Sequence, residues 1–361
     1  MPLLKPRHMR VAERGRQSAW CGLALSLGLA SALFALPVAA TPPVGAAQQA
    51  AASNDKAAEP ANITDWLMRM HEASRKRSYV GTFVVSSGAA MSSARIWHVC
   101  QGDQQVERVE TLTGPPRSVY RHNQQVHTFM PDDKVMLSES RESLGMFPDL
   151  LKSADSGIAG FYTAQAVGHE RVAGIKTDVV ELRPKDNLRF AYRVWAEEKS
   201  GLVLKLQTLN AEGQVLEQAA FSELQLDVPL KMDKLLQMMG KTDGYRVEKI
   251  KLRKTTADAE GWLLKTPVAG FNSVSCYRRP ATSREVGGRS EPMQWTFSDG
   301  LASVSLFVEP YDKQHHQQES SLSIGATQTI TRRVASYWVT AMGEVPLATL
   351  QLFVSGLERK R

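Results

Sequence analysis

Ten short segments rich in Val, Phe, Tyr, Trp and Thr fill most of residues 79–226, and turn residues separate them. Short connections without intervening helices favour antiparallel pairing of neighbouring strands, so this spacing predicts an antiparallel meander. The turns around Asn187, Gly201 and Gly213 suit tight hairpins. The predicted strands are Tyr79–Ser86, Ser93–Cys100, Gln105–Leu112, Ser118–His122, Val126–Met130, Val135–Ser138, Thr177–Leu182, Leu188–Ala196, Leu202–Leu209 and Val215–Leu226.

One amphipathic helix of about four turns is predicted before the first strand. Ile63, Trp66, Met70 and Ala73 recur at helical spacing, and the basic run 75–77 suits a helix C-terminus. Between residues 139 and 160 a second apolar segment is interrupted by Gly145 and Pro148. Either an apolar flap on a curved sheet or an ordinary core helix would have this composition.

A second domain is predicted after residue 260. Residues 228–260 hold a short helix, Met232–Met239, and a charged stretch, so we expect an interdomain linker there. Strand-like runs then resume and end in an apolar helix from Pro346, which predicts a smaller α+β domain over 261–361. These runs are Ser273–Tyr277, Gln294–Phe297, Ser303–Val308, Ala326–Ile330 and Arg333–Ala341. The expected class is α+β and mainly β, with the larger domain at 62–227.

Residues 1–40 have the pattern of a secretory signal peptide, and 41–61 that of a flexible linker. A basic start is followed by the apolar stretch Trp20–Leu36 and by the small residues Val38-Ala39-Ala40. An uncleaved membrane anchor is the alternative, because about 17 apolar residues are at the lower limit of a spanning helix. We expect cleavage and export to the periplasm, with mass measurement of the exported protein as the test.

Export changes the meaning of the net charge, which is +7 for the whole chain. Residues 1–40 hold five of the 44 Lys and Arg residues and one of the 37 Asp and Glu residues, so the remainder carries only +3. This balance predicts no groove for nucleic acid. Cys100 and Cys276 then remain, and either a bridge between the two domains or two separate buried thiols is compatible with an oxidising compartment.

No motif of enzymatic chemistry is present: the sequence lacks Gly-x-Ser-x-Gly, His-Glu-x-x-His, Cys-x-x-Cys and Gly-x-Gly-x-x-Gly. His315-His316 lies in a Gln-rich stretch, and His122 and His127 flank a predicted turn without Cys or carboxylate ligands nearby. We therefore expect a binding protein that is not an enzyme, with no cofactor and no metal.

Several stretches resemble the RseB/MucB family of periplasmic regulators of the sigma-E (AlgU-type) envelope stress response, and their order along residues 62–361 carries the resemblance. They are Leu112–Arg117, Tyr192–Trp195, Leu216–Gln218, Gly270-Phe271 before Arg278–Pro280, and Phe297–Leu301. The resemblance implies an N-terminal antiparallel half-barrel like those of the carriers LolA and LolB, with a helix over an apolar cavity.

The implied function is negative regulation of an envelope-stress sigma factor. Such a protein binds the periplasmic part of a single-span anti-sigma factor, protects it from regulated proteolysis, and is released by lipopolysaccharide or lipoprotein-type amphiphiles. A periplasmic lipid or lipoprotein carrier of the LolA type is the alternative, and a carrier does not need the second domain. A homo-oligomer is also compatible with the sequence.

Two groups of candidate site residues follow. An acyl-chain pocket and flap are expected from large apolar residues, for which ordinary core packing is the alternative: Trp97, Phe129, Met130, Leu144, Met146, Phe147 and Phe161. Partner binding is expected from residues that match family stretches of the second domain, with a solvated basic face and a structural turn as the alternative: Arg278, Arg279, Phe297, Asp299 and Leu301.

Overall fold

The computed structural model describes residues 63–140, 147, 157–280, 291–316 and 318–360. The predicted signal peptide and linker, and the candidate residues Leu144 and Met146, lie outside the described residues. All described residues belong to one unit, 54–361. None of the helices within the described residues is long and apolar enough to cross a membrane.

The N-terminal domain is an open sheet with helix α1 (Ile63–Lys76) packed on it. Its twelve strands have the order β12-β6-β5-β4-β3-β2-β1-β11-β10-β9-β8-β7, and every neighbouring pair is antiparallel except β12 with β6. The strands of this domain are β1 (Tyr79–Ser87), β2 (Ala90–Gln101), β3 (Gln104–Thr111), β4 (Ser118–His122), β5 (Gln125–Met130), β6 (Val135–Ser140), β7 (Tyr162–Val172), β8 (Ile175–Pro184), β9 (Ala191–Glu197), β10 (Val203–Leu209), β11 (Val215–Leu226) and β12 (Arg246–Lys249). A single-turn helix α2 (Ile158–Phe161) precedes β7.

All ten predicted strands of this domain are present, so the predicted antiparallel meander with a covering helix is confirmed. Strand β7 was missed. It forms one edge of the sheet, and most of its side chains are exposed or half-buried, so it lacks the apolar alternation by which a covered strand is recognised.

Helices cover opposite faces of the sheet. On one face, Leu67 and Met70 of α1 pack with Tyr192 and Val194 of β9. On the other, Leu235 of helix α3 (Met232–Met239) packs with Val99 and Val106. Burying one such side chain contributes about 1.5–3 kcal/mol.

The connection between the domains is much shorter than the predicted linker 228–260. Strand β12 adds to the first sheet beside β6, and β13 (Arg253–Lys254) pairs with β15 (Asn272–Arg278) of the second sheet. Only residues 250–252 lie between these two strands. The charged composition of this stretch was misleading because β12 and β13 are both sheet edges, where charged side chains remain in solvent.

The C-terminal domain is a seven-stranded sheet of order β13-β15-β16-β17-β20-β19-β18, covered on one face by helix α4 (Leu347–Gly356). Its further strands are β16 (Met293–Ser298), β17 (Ser303–Pro310), β18 (Ser320–Ile324), β19 (Thr327–Val334) and β20 (Tyr337–Gly343); β14 (Trp262–Leu264) and β21 (Leu357–Arg359) form a separate pair. The predicted run Arg333–Ala341 is two strands, because the chain turns at Ala335, which has a φ of 54°. Strands β13, β14, β18 and β21 were missed.

Candidate functional site

A buried ion pair joins the two domains. Arg189, from the loop between β8 and β9, points its Nε at Oδ2 of Asp299 at 2.6 Å, and both side chains are fully buried. The Tyr162 hydroxyl donates to the same oxygen at 3.3 Å. Oδ1 of Asp299 accepts from the backbone N–H groups of Leu301 and Ala302 at 2.9 and 2.8 Å. We call this contact, between the Arg189 loop and the turn 298–302, the domain junction.

The Arg189 guanidinium is also held between two aromatic rings, one from each domain. Its Cζ lies 4.5 Å from the ring centre of Phe161 and 4.7 Å from that of Phe271. Its Nη2 donates to the carbonyl of Ala269 at 2.6 Å, and Nη1 pairs with Asp186. Gly270 has a φ of +80°, and a Cβ there would be 2.1 Å from Nη2. Only glycine therefore allows this close approach.

Leu301 extends the junction into the apolar core of the first domain. It is 1% exposed and belongs to the same cluster as Leu67 and Met70 of α1. The predicted partner-binding residues Phe297, Asp299 and Leu301 are thus all buried: Phe297 packs against Trp295 and Phe353, and the other two join the domains. In this structure no partner can reach them.

The other two predicted partner-binding residues lie at the surface of the second domain. Arg278 donates to Glu260, and this hydrogen bond is the main cause that lowers the Glu260 pKa. Arg279 donates to Oε1 of Gln294 at 3.2 Å. Their role in partner binding stays a prediction.

The candidate lipid-pocket residues divide between the two faces of the first sheet. The Phe147 ring centre lies 5.0 Å from that of Phe221 and 5.7 Å from that of Phe83, on the face that α1 covers. The strand register places Met130 on this face as well. Phe161 is at the domain junction.

Trp97 and Phe129 lie on the opposite face of this sheet. Trp97 has the guanidinium carbons of Arg95 and Arg108 at 5.4 and 4.6 Å from its ring centre. Phe129 is buried with Met239 of α3 and has Tyr245 edge-on at 5.2 Å. The five of these residues that the structure describes therefore do not line one cavity, and Phe147 and Met130 mark the face that α1 covers.

A buried charged network under the C-terminus of α1 was not foreseen. Glu107 accepts from Nε of Arg121 at 2.6 Å and lies 3.0 Å from Nδ1 of His98, whose Nε2 is 3.2 Å from the Arg75 carbonyl. Burial alone would raise the pKa of Glu107, but the hydrogen bonds with His98 and Arg121 outweigh it and lower this pKa to about 2. The three residues are direct neighbours across β2, β3 and β4, a register that the sequence does not reveal.

Within the described residues, one group of side chains has metal-ligating chemistry: His169, Asp178 and Glu198, whose ligand atoms lie within 4.8 Å of one another. All three are partly exposed, and Nδ1 of His169 lies 2.9 Å from Asp178 and 3.7 Å from Glu198. Surface ion pairing accounts for this arrangement, so we assign no metal to it. Cys100 and Cys276 are both free thiols, and burial raises the Cys276 pKa to about 11.

Comparison with known proteins matches both domains in the same order. Residues 62–239 match the MucB/RseB N-terminal domain and residues 256–358 the MucB/RseB C-terminal domain. The sigma factor AlgU regulatory protein MucB of Pseudomonas aeruginosa is 30% identical over 309 residues, which cover 82% of this chain and 90% of that protein. The chain belongs to the MucB/RseB family.

Other members of the MucB/RseB family agree with this assignment. The sigma-E factor regulatory protein RseB of Escherichia coli K12 is 23% identical over 342 residues, covering 93% of this chain and 96% of that protein. A crystal structure of MucB in complex with MucA(peri) superposes with a TM-score of 0.62 at 25% identity, over 83% of this chain and all of that one. The family resemblance noted in the sequence is therefore confirmed, and its members are named as regulatory proteins.

Proposed function

We propose that this chain is a periplasmic negative regulator of an envelope-stress sigma factor. It binds the periplasmic part of a single-span anti-sigma factor, protects that part from regulated proteolysis, and acts by stoichiometric binding without catalysis. The observation that carries the proposal is the match of both domains, in order, to a family whose member MucB was crystallised with MucA(peri).

The lipid signal is proposed to enter on the sheet face that α1 covers. Phe147 contacts Phe83 and Phe221 there, and its sequence neighbours Leu144 and Met146 are also large and apolar. An acyl chain that displaces Phe147 gains about 0.8 kcal/mol for each buried methylene group. Displacement transmits a signal only if lipid and partner favour different arrangements of the protein, because a ligand shifts an equilibrium by its differential affinity.

A LolA-type carrier without signalling is the alternative. The buried ion pair Arg189–Asp299 argues against it, because a carrier has no use for a second domain held so firmly. Arg278 and Arg279 remain proposed partner contacts on that domain. Export through cleavage of residues 1–40 is part of the proposal, and an exported protein that retains this segment would contradict it.

A binding assay tests the proposal directly. The purified chain without residues 1–40 is titrated with the periplasmic domain of the anti-sigma factor from the same organism, and lipopolysaccharide is then added to the complex. We expect a stoichiometric complex that lipopolysaccharide dissociates. Lack of binding would overturn the regulator proposal, and recovery of bulk lipoproteins in a pull-down from envelope extract would favour the carrier.

The lipid step has its own test in the variant Phe147→Ala. We expect tighter binding of a fluorescent fatty acid, by about tenfold or more, because the acyl chain no longer has to displace a ring whose burial is worth about 1.5–3 kcal/mol. Trp97→Phe is the matched control, since Trp97 lies on the opposite face of the sheet. Equal effects of the two substitutions would show that the acyl chain binds elsewhere.

A further inference from the structure

Within the part of the chain that the structure describes, one strand edge is left unprotected. Free sheet edges attract other strands, and proteins usually shield them with charged residues, prolines or bulges. Three of the four edges of the two large sheets follow this rule. Strand β7 has a bulge after Ala166 and three charged or titratable residues at 169–171, while β12 and β13 consist largely of Arg, Lys and Glu.

The fourth edge, β18, has none of these devices. Its sequence Ser-Ser-Leu-Ser-Ile holds no charge and no proline, and all five residues are exposed. Leu322 and Ile324 are 56% and 57% exposed, and the register places Leu322 in one row with Met342, which is 41% exposed. Within the described residues no strand pairs with the outer side of β18.

The backbone groups that face outward can be assigned from the hairpin. Ile324 and Thr327 flank the two-residue turn Gly325-Ala326, in which Gly325 has a φ of +58°, as a type II′ turn requires at that position. The flanking pair of such a hairpin is hydrogen-bonded, so alternate residues, Leu322 among them, bond to β19. The N–H of Ser320 also points toward β19, where it donates to the side-chain Oγ1 of Thr331 at 3.1 Å. Ser321 and Ser323 therefore direct their N–H and C=O groups away from the sheet.

We propose that β18 receives an extended segment of the anti-sigma factor's periplasmic domain as an added strand, with apolar side chains at alternate positions beside Leu322 and Ile324. The inference rests on the proposed function and names its docking surface. A strand of five residues offers a contact about 17 Å long, and such strand addition is a common mode of peptide recognition. Proteases bind their substrates as extended chains, so a segment already held in a sheet is withheld from cleavage.

A second copy of this chain is the less favoured occupant. Two five-residue strands paired edge to edge bury far less than the roughly 1,200 Å² of a stable interface. A partner segment, in contrast, can continue past the end of β18 onto the first domain. A Cβ on Gly325, the next residue after β18, would lie 1.8 Å from Oγ of Ser87 and 3.0 Å from Oε2 of Glu217. Strand β18 thus ends against the first domain, so a change in the arrangement of the two domains alters this end of the strand.

Proline substitution tests the outward hydrogen bonds. Ser321→Pro and Ser323→Pro remove N–H groups that β19 does not use, and Ser321→Ala and Ser323→Ala are the matched controls that keep them. With the purified periplasmic domain of the anti-sigma factor as probe, we expect each proline to weaken binding about three- to tenfold and each alanine to change it less than twofold. Equal affinity of the folded double-proline variant and the unmodified chain would overturn the proposal.

Amide hydrogen exchange on the unmodified chain gives an independent test. The amides of Ser321 and Ser323 should slow in the complex, while that of Leu322, already bonded to β19, should change little. Unchanged exchange at both serines in the complex would overturn the proposal. Slower exchange that appears without the probe, when the concentration of this chain is raised, would also overturn it, because a second copy would then be the occupant. If the unmodified chain does not bind the probe at all, the proposed function fails, which is a separate outcome.

Discussion

Arg189 shows how much one buried side chain decides in this protein. Its Nε, Nη1 and Nη2 donate to two carboxylates and a backbone carbonyl, and its two faces stack on Phe161 and Phe271. Lysine has neither the planar fork nor the flat faces, so it cannot replace arginine here. The sequence shows Arg189 only as one of many cations beside a predicted turn, because its partners are distant along the chain.

Replacement of Arg189 should therefore be costly. We expect Arg189→Met to lower the free energy of unfolding by about 3–5 kcal/mol, since Asp299 is left buried without its counter-ion. Urea denaturation measures the loss. Arg246→Met, which breaks an exposed pair with Glu248, should cost less than about 0.5 kcal/mol. An equally small loss of stability in the Arg189→Met variant would contradict the role assigned to the Arg189–Asp299 ion pair.

Glu107 predicts a specific acid sensitivity. Its pKa is lowered from 4.5 to about 2, so the unfolded chain binds this proton more readily and stability is lost as the pH falls between these values. The loss amounts to about 3 kcal/mol. Denaturation at pH 5 and at pH 2 measures how much of the free energy of unfolding is lost between these pH values. This loss should be smaller in the Glu107→Gln variant than in the unmodified protein. The exposed Glu212→Gln is the control and should leave the pH dependence unchanged.

At the scale of elements, strand β12 converts an apparent linker into part of the first sheet. The N–H groups of Arg246 and Ile250 donate to the carbonyls of Lys134 and Ser138 at 2.8 Å each. In a parallel pair, every second residue of a strand hydrogen-bonds to the neighbouring strand. Glu248 is therefore also bonded to β6, and Val247 is not. With Ile250 also bonded to Ser138, the free connection is limited to residues 251 and 252.

Two proline variants test this arrangement. Glu248→Pro removes a ladder hydrogen bond and should release β12, which limited proteolysis would detect as faster cleavage between residues 246 and 252. The Val247→Pro variant, changed at the neighbouring outward position, should be cleaved at nearly the same rate as the unmodified protein. Equal rates for the two variants would mean that β12 does not hold the connection.

At the scale of the whole molecule, the two domains share a core. Leu301 belongs to the second domain by sequence but packs with α1 of the first. We expect Leu301→Ala, at a cost of about 2–5 kcal/mol, to speed amide exchange in α1 and β9. Leu306→Ala, in the core of the second domain, should affect that domain alone. Unchanged exchange in α1 would show that the domains are energetically independent.

The sequence by itself determined the class of this protein. Local patterns carry that information: alternation marks covered strands, a period of 3.6 marks α1, and ordered short stretches mark the MucB/RseB family. The three longer helices were predictable, as were ten strands of the first sheet, five of the seven strands of the second sheet and the order of the two domains. Each of these depends on residues close together in the chain.

Only the tertiary structure decided which residues meet. Trp97 and Phe147 are both large and apolar, but strand register places them on opposite faces of the sheet. Asp299 and Leu301 matched a family stretch, and the structure buries them at the domain junction instead of exposing them. Edge strands such as β7 and β12 lack a covered face, so no local pattern revealed them. Each of these features depends on pairing between residues distant in sequence, and a single sequence contains no record of that pairing.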